Sequence, residues 1–244
     1  MEIDWEEYAE KLNLEGELQE GYYEDLLGKK CVLDAACGDG ALIVPLSKNP
    51  NRPSRIVGIE YSQIRLERCR KRVDPTNIEI LQGDVTKLPF ENELFDAVAG
   101  IYVLEHLTPV QTEAMLGEFY RVLQDKGTLV ISVPNKWSYR ISYWIGSKFG
   151  KTHPPTPSHI NMHGYQGYID IIEKRFKVVK VKIVGMPYIR LLSKVGLDKA
   201  IKKIWKSWSV GFIYVCIKDV KMDKSLEGSK TEKKEQIPFS YISL

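Results

Sequence analysis

The chain has 244 residues, 43% hydrophobic and 27% charged, with a formal net charge of +3. That is the length and composition of a globular chain with a sizeable core, and it excludes a disordered or fibrous one. Lysine and arginine are spread along the sequence, so charge alone gives no nucleic-acid footprint and nucleic acid is not the expected partner.

Cys31, Cys37, Cys69 and Cys216 have no metal-site spacing and read as reduced thiols. The opening Met1-Glu-Ile-Asp-Trp-Glu-Glu is acidic and lacks an apolar leader, and no apolar run is long enough to cross a bilayer. The expected location is cytoplasmic.

Residues 1–28 read as a helical, polar cap. Trp5, Tyr8, Leu12 and Leu14 form one apolar stripe, and Tyr22, Tyr23, Leu26 and Leu27 a second. Cys31-Val-Leu-Asp34 is a short buried strand ending in a carboxylate. It runs into Ala36-Cys-Gly-Asp-Gly40, a turn of small residues, and then into a helix. Such a turn brings bare backbone N–H groups close to a ligand. A dinucleotide fingerprint would need a third glycine where this chain has Ile43.

Arg55–Glu60 reads as the second strand. An acid at its end, about 20 residues past the glycine turn, can accept from both hydroxyls of a ribose. That feature is common to nicotinamide enzymes and methyl-transferring ones. Ser62 caps the next helix, whose Arg65, Arg68, Arg70, Lys71 and Arg72 read as a solvated face. Asn77–Asp84 is the third strand and its exit, followed by Val85 and Lys87-Leu-Pro-Phe90. Leu94–Val103 is the fourth strand, and its end carries Leu104-Glu-His-Leu107. Thr108 and Pro109 start a long helix to Leu123, and Thr128–Val133 is the fifth strand, closed by Pro134 and Asn135.

Segment 136–162, with its prolines and aromatics, reads as a lid over an acceptor site. His159 and His163 precede a helix from Gly164 to Lys174. Phe176–Val184 and Gly211–Lys218 are the sixth and seventh strands. Between them lies a helical insertion, 186–208. Its stretch 194–208 places Leu197, Ile201, Ile204, Trp205 and Trp208 on one face and lysines on the others, a pattern open to peripheral membrane contact. Residues 221–244 are a polar tail whose closing apolar patch has the option of docking.

The turn D-x-x-C-G-x-G, then G-D-x-x-x-L-P-F, F-D-x-V, L-E-H-L, R-V-L, K-G and P-N occur in order. Together they resemble the class I S-adenosylmethionine-dependent methyltransferases, in the subgroup called type 11 or type 12 methyltransferase domains. The resemblance covers about residues 30–185 and implies a single domain over 1–220. The implied fold is α/β: a Rossmann-like three-layer sandwich with a mostly parallel seven-stranded sheet and an antiparallel last strand.

The resemblance also implies S-adenosyl-L-methionine as cofactor, with S-adenosyl-L-homocysteine as product, and an in-line methyl transfer to a small-molecule or lipid-type acceptor. By it, Asp34 organises the methionine end, and Ala36, Cys37, Gly38 and Gly40 pass under the cofactor. Glu60, with Tyr61 beside it, holds ribose; Asp84 and Val85 hold adenine; the backbone of Gly100 and Ile101 reaches the methionine amine. Leading segments in this family often fold over the cofactor, which makes Tyr8 and Tyr22 contact candidates.

His106 follows the fourth strand and has the pKa range of a general base, with His159 and His163 as further catalytic candidates. Glu105-His106 also resembles part of an E-x-x-E-H metal set found in some O-methyltransferases. Tyr102 stands where that set has its first acid, so no metal is expected. Two alternatives stay open: a cofactor-binding subunit without catalysis, and a nicotinamide-dependent oxidoreductase.

Overall fold

Runs of β-branched and aliphatic residues set the framework. The computed structural model describes residues 4–11, 16–140, 158–185, 211–219 and 239–243. The helices are α1 (Trp5–Lys11), α2 (Ile43–Lys48), α3 (Gln63–Arg72), α4 (Pro109–Val122) and α5 (Tyr165–Ile172). The strands are β1 (Cys31–Ala35), β2 (Arg55–Glu60), β3 (Ile78–Gln82), β4 (Phe95–Ile101), β5 (Leu123–Pro134), β6 (Lys177–Gly185), β7 (Gly211–Ile217) and β8 (Phe239–Ser243).

The cap expected over 1–28 is only partly helical, since residues 20–26 form two 3-10 turns after α1. Of the lid segment, 136–140 form a helical turn and 158–162 are irregular. The insertion 186–208, and with it the helix expected over 194–208, lies outside the described residues.

The strands pair in the order β3-β2-β1-β4-β5-β7-β6-β8. β1 to β5 are parallel to one another, and β7 runs antiparallel between β5 and β6. This is the Rossmann-like seven-stranded mixed sheet that the family resemblance implied. One strand more joins its edge: β8, from the stretch expected as a polar tail, pairs parallel to β6. β1 lies between β2 and β4, so successive connections leave it toward opposite edges of the sheet. Open α/β sheets offer a ligand crevice beyond the strand carboxyl ends at such a switch point.

Both faces of the sheet are covered, which is why its central strands need no polar alternation. On one face, Met115, Leu116 and Phe119 of α4 and Tyr168 and Ile172 of α5 pack on Val98, Ile131 and Tyr214. On the other, Ile43 and Leu46 of α2, Leu66 of α3 and Tyr22 and Leu26 of the 3-10 turns pack on Val32, Ile56 and Ile213. α4 starts sharply because Thr108 and Gln111 cap each other reciprocally and Pro109 occupies the first turn.

A buried lysine ties the 3-10 turns to the sheet. Lys182 on β6 has no exposed side-chain area; its ammonium donates 2.8 Å to the Gly21 carbonyl and pairs with Glu24 and Asp25. Charge-assisted bonds of this kind are worth about 1.5–3 kcal/mol each, and partly exposed carboxylates put the total at the lower end. Lys182→Ala is expected to lower unfolding free energy by about 1.5–3 kcal/mol, read by urea titration. A loss under about 0.5 kcal/mol, within the range of an ordinary surface substitution, would show that the apolar contacts hold the turns unaided.

Candidate functional site

The site is built at the carboxyl ends of β1, β2, β3 and β4. The chain leaves β1 through Asp34, Ala35 and Ala36, and Ala36 and Cys37 donate their N–H groups to the Ile59 carbonyl at 2.9 and 3.0 Å. Ala36, Gly38 and Gly40 have φ of 68°, 54° and 86°. A side chain at Gly38 would overlap the Arg65 guanidinium, so the turn needs glycine there for both conformation and space. Cys37 points inward and its thiol bonds with that of Cys69; that bond and then burial push it well above the usual thiol range. Only the Cys37 backbone therefore faces the crevice side of the turn.

Three residues of the basic run of α3 form a clamp, while Arg70 and Lys71 stay exposed as a solvated face. Arg65 and Arg68 approach the buried Asp39 carboxylate at 3.6 and 3.9 Å, and Arg72 donates to the Asp39 carbonyl at 2.6 Å. The turn is thus held down on the helix by charge.

Two acids meet at this turn. Glu60 is only 6% exposed, not at an open strand end: it accepts from Gly38 N–H at 2.9 Å and from Ser62 N–H at 3.0 Å. A carboxylate has about four lone-pair positions, so two stay available for hydroxyl donors. Asp34 is 1% exposed, and its Oδ2 has no hydrogen-bond partner among the described residues. Burial, and then the charge of Glu60, push the Asp34 carboxyl up to about 8.

Across β3, Asp84 is exposed and its Oδ1 caps its own loop, accepting from Thr86 N–H and Oγ1–H at 2.8 Å each. Val85 is buried, while Tyr61 stands 57% exposed, giving an aromatic face beside the β2 and β3 ends. Gly100 and Ile101 end β4, and Tyr102 turns with φ of 53°. Its hydroxyl bonds to that of Tyr22 at 2.8 Å.

The histidines divide. His106 and His159 have ring centroids 4.9 Å apart, with Tyr139 on the far side of His159 at 5.2 Å. His106 Nδ1 lies 3.1 Å from the Ser158 carbonyl. A carbonyl can only accept, so Nδ1 carries the proton and Nε2 the lone pair. Burial, then His159, lower the His106 pKa to about 4. His163 is placed apart from this pair: its Nε2 lies 2.7 Å from Asn161 Oδ1 and its ring packs on Tyr168.

Three participants carry no sequence motif of their own. Glu6 of α1 accepts from Gln63 N–H, Ile64 N–H and Ser62 Oγ–H at the amino end of α3. Trp5 and Tyr8 of the same helix set their rings 5.5 and 6.1 Å from His106. The resemblance makes Tyr8 a candidate for cofactor contact; its ring and that of Trp5 rest on His106. Glu105, which does lie in a motif beside His106, is 1% exposed, and burial pushes its carboxyl up to about 8.

Comparison with known proteins fits this geometry. Residues 32–127 match a family model described as a methyltransferase domain. The carboxy-S-adenosyl-L-methionine synthase of Citrobacter koseri is 31% identical over 114 residues, 45% of this chain and 44% of that protein. Its Klebsiella pneumoniae counterpart is 32% identical over 106 residues, 41% of this chain and 42% of its own. The chain spans less than half the length of the curated relatives it matches.

Among solved structures, a SAM-dependent methyltransferase from Archaeoglobus fulgidus superposes with a TM-score of 0.61 at 18% identity, covering 81% of this chain and 90% of that one. Geranyl diphosphate C-methyltransferase from Streptomyces coelicolor, solved with Mg2+, geranyl diphosphate and S-adenosyl-L-homocysteine, gives 0.55 at 17% identity, covering 81% and 76%. These likenesses are likenesses of fold.

The buried Asp34 makes a pH prediction. Its carboxyl keeps its proton in the fold up to about pH 8, whereas the unfolded chain releases it from about pH 4. The unfolded state binds fewer protons across that window, so this group costs stability as pH rises. Asp34→Asn cannot ionise. Its melting temperature relative to the parent is therefore expected to climb from pH 5 to pH 8 without ligand; a gap that stays constant with pH would contradict the protonated carboxyl.

Proposed function

We propose that this chain, whose residues 32–127 match a methyltransferase-domain model, is a class I S-adenosylmethionine-dependent methyltransferase that moves a methyl group from S-adenosyl-L-methionine to a small-molecule or lipid-type acceptor by in-line displacement. The observation that carries the reading is the pair of buried acids at one glycine turn. Glu60 keeps lone pairs for two ribose hydroxyls, and Asp34 keeps a buried oxygen without a partner. A ligand bearing both a ribose and an ammonium group answers both needs. The curated relatives are named for a carboxylated S-adenosyl-L-methionine, a molecule with the same ribose and methionine parts.

The cofactor brings a methyl group already activated on sulfonium. The protein's share is therefore placement and proton handling. Asp34 and the backbone ends of Gly100 and Ile101 hold the methionine end. Tyr61 and Val85 flank the adenine, with Asp84 as acceptor for its exocyclic amine, a role that requires Oδ1 or Oδ2 to turn from its own loop. His106 and His159 face the acceptor, and the acceptor's proton is handled at that pair. His163 supports the segment that carries His159 through Asn161. Trp5 and Tyr8 cover the pair and limit water.

The cofactor half is tested by titration with S-adenosyl-L-homocysteine. Glu60→Gln keeps the shape and one acceptor but removes the charge. It is expected to weaken binding about 10- to 150-fold, the equivalent of about 1.5–3 kcal/mol. Equal affinity in parent and variant would take Glu60 out of the ribose contact, and failure of the parent to bind would sink the reading as a whole.

The acceptor half is tested with His106→Ala in a labelled-methyl assay on fractionated cell extract. With proton handling at His106, turnover falls about 100-fold or more while homocysteine-product affinity stays within about twofold of the parent, less than 0.5 kcal/mol. Parental turnover in the variant would remove His106 from the chemistry.

A further inference from the structure

The acceptor mouth holds a second concentration of buried polar atoms that the methyl transfer described above leaves unpaired. Glu105 Oε2 and His159 Nδ1 are both buried, and neither has a hydrogen-bond partner among the described residues. A polar atom buried in that way forfeits about 1–3 kcal/mol, so two of them in one small space call for a common partner. One donor atom each from Glu105, His106 and His159 lie within 4.8 Å of one another.

We propose that Glu105, His106 and His159 hold one divalent transition-metal ion at the acceptor mouth. Two imidazoles and one carboxylate form a mixed nitrogen and oxygen set. It suits zinc, manganese, iron or cobalt, whereas magnesium and calcium take oxygen ligands. Three protein ligands leave coordination positions open for a substrate atom. Ligand atoms at about 2.0–2.2 Å from one ion stand about 3–3.5 Å apart, so the three side chains close inward on loading.

The surroundings are already those of a ligand shell. The Ser158 carbonyl accepts from His106 Nδ1–H and turns Nε2 toward the mouth. The Glu105 carbonyl accepts from Asn161 N–H at 3.0 Å, and Asn161 Nδ2 donates to Thr112 Oγ1 at 3.0 Å. The loop that carries His159 is thereby stitched to the turn that carries Glu105 and His106. Supports of this kind fix ring orientation in metal sites.

The expectation of no metal rested on Tyr102 in place of an acid. Tyr102 instead spends its hydroxyl on Tyr22, and the third donor arrives from His159, 53 positions after His106. No local spacing could announce it.

What the ion would do rests on the methyltransferase reading; that it binds does not. A hydroxyl of the acceptor at an open position would lose its proton more readily, to bulk water, leaving an oxygen nucleophile next to the methyl group. The acceptor class is then one with an ionisable oxygen, such as a phenol or enol. With the ion bound, His106 and His159 would act on the acceptor's proton through the metal, as its ligands, in place of the direct proton handling proposed for the metal-free pair.

The test uses the full chain, stripped with a chelator and titrated with Co2+ under visible absorption and calorimetry. One Co2+ per chain is expected, with ligand-field bands. Glu105→Gln and His159→Gln are each expected to weaken Co2+ binding at least tenfold while S-adenosyl-L-homocysteine affinity stays within twofold of the parent. X-ray absorption of the unmutated Co2+ protein is expected to report two imidazoles, which keeps the test decisive should a variant fail to fold.

No uptake of Co2+ at millimolar concentration, a first shell of oxygen alone, or variants that bind Co2+ as well as the parent would overturn the proposal. Co2+ bound as described without any homocysteine-product binding would support the site and overturn the methyltransferase reading instead.

Discussion

The site depends on one bond, from Gly38 N–H to the Glu60 carboxylate. It fastens the exit of β1 to the end of β2, and it fixes how the two acids at the switch point are served. Glu60 takes two backbone donors from its surroundings, Gly38 and Ser62. Asp34, on the neighbouring strand, is left buried beside that charge with an unserved oxygen. Two carboxylates so close in a low-dielectric setting cannot both ionise cheaply. Burial and that charge therefore hold a proton on Asp34 in the free protein, and in the function proposed above a ligand brings positive charge to one acid and hydroxyl donors to the other.

The same bond reaches outward. Glu60 also fixes Ser62, which caps α3, and Glu6 of α1 bonds to the first N–H groups of that helix. Three arginines of α3 hold the glycine turn down in return. α1 then spans from the amino end of α3 to His106, where Trp5 and Tyr8 rest against the imidazole. One short helix is thus bonded to the start of α3 and packed on His106. That arrangement gives the two halves of the crevice a shared cover of only seven residues.

Most of the sheet could be read from the chain because its strands are buried on both faces and so announce themselves as apolar runs with polar ends. The acids Asp34 and Glu60 and the glycine turn were legible for a related reason: each sits where a strand stops. The edge strand β8 was not, since Ile237-Pro-Phe-Ser-Tyr-Ile follows a long charged stretch and β8 pairs with residues 58 positions earlier. The clamp of Arg65, Arg68 and Arg72 was not legible, because a helical face says nothing of the buried Asp39 opposite it. Pairing of His106 with His159, and the setting apart of His163, depend on how the 158–163 segment folds back on the Glu105 turn through Asn161. Such contacts join distant positions without periodicity, so only the folded chain reveals them.

The central claim is that the acid pair awaits a ligand with a ribose and an ammonium group. It is tested most directly by calorimetric titration of S-adenosyl-L-homocysteine at pH 7 in two buffers of different ionisation heat. As the ammonium reaches Asp34, the carboxyl should give up its proton, so the observed heats should differ by close to one buffer protonation per ligand bound, about the full linkage of one group. Asp34→Asn should erase that difference. Heats that do not depend on the buffer, or the absence of binding, would contradict the account.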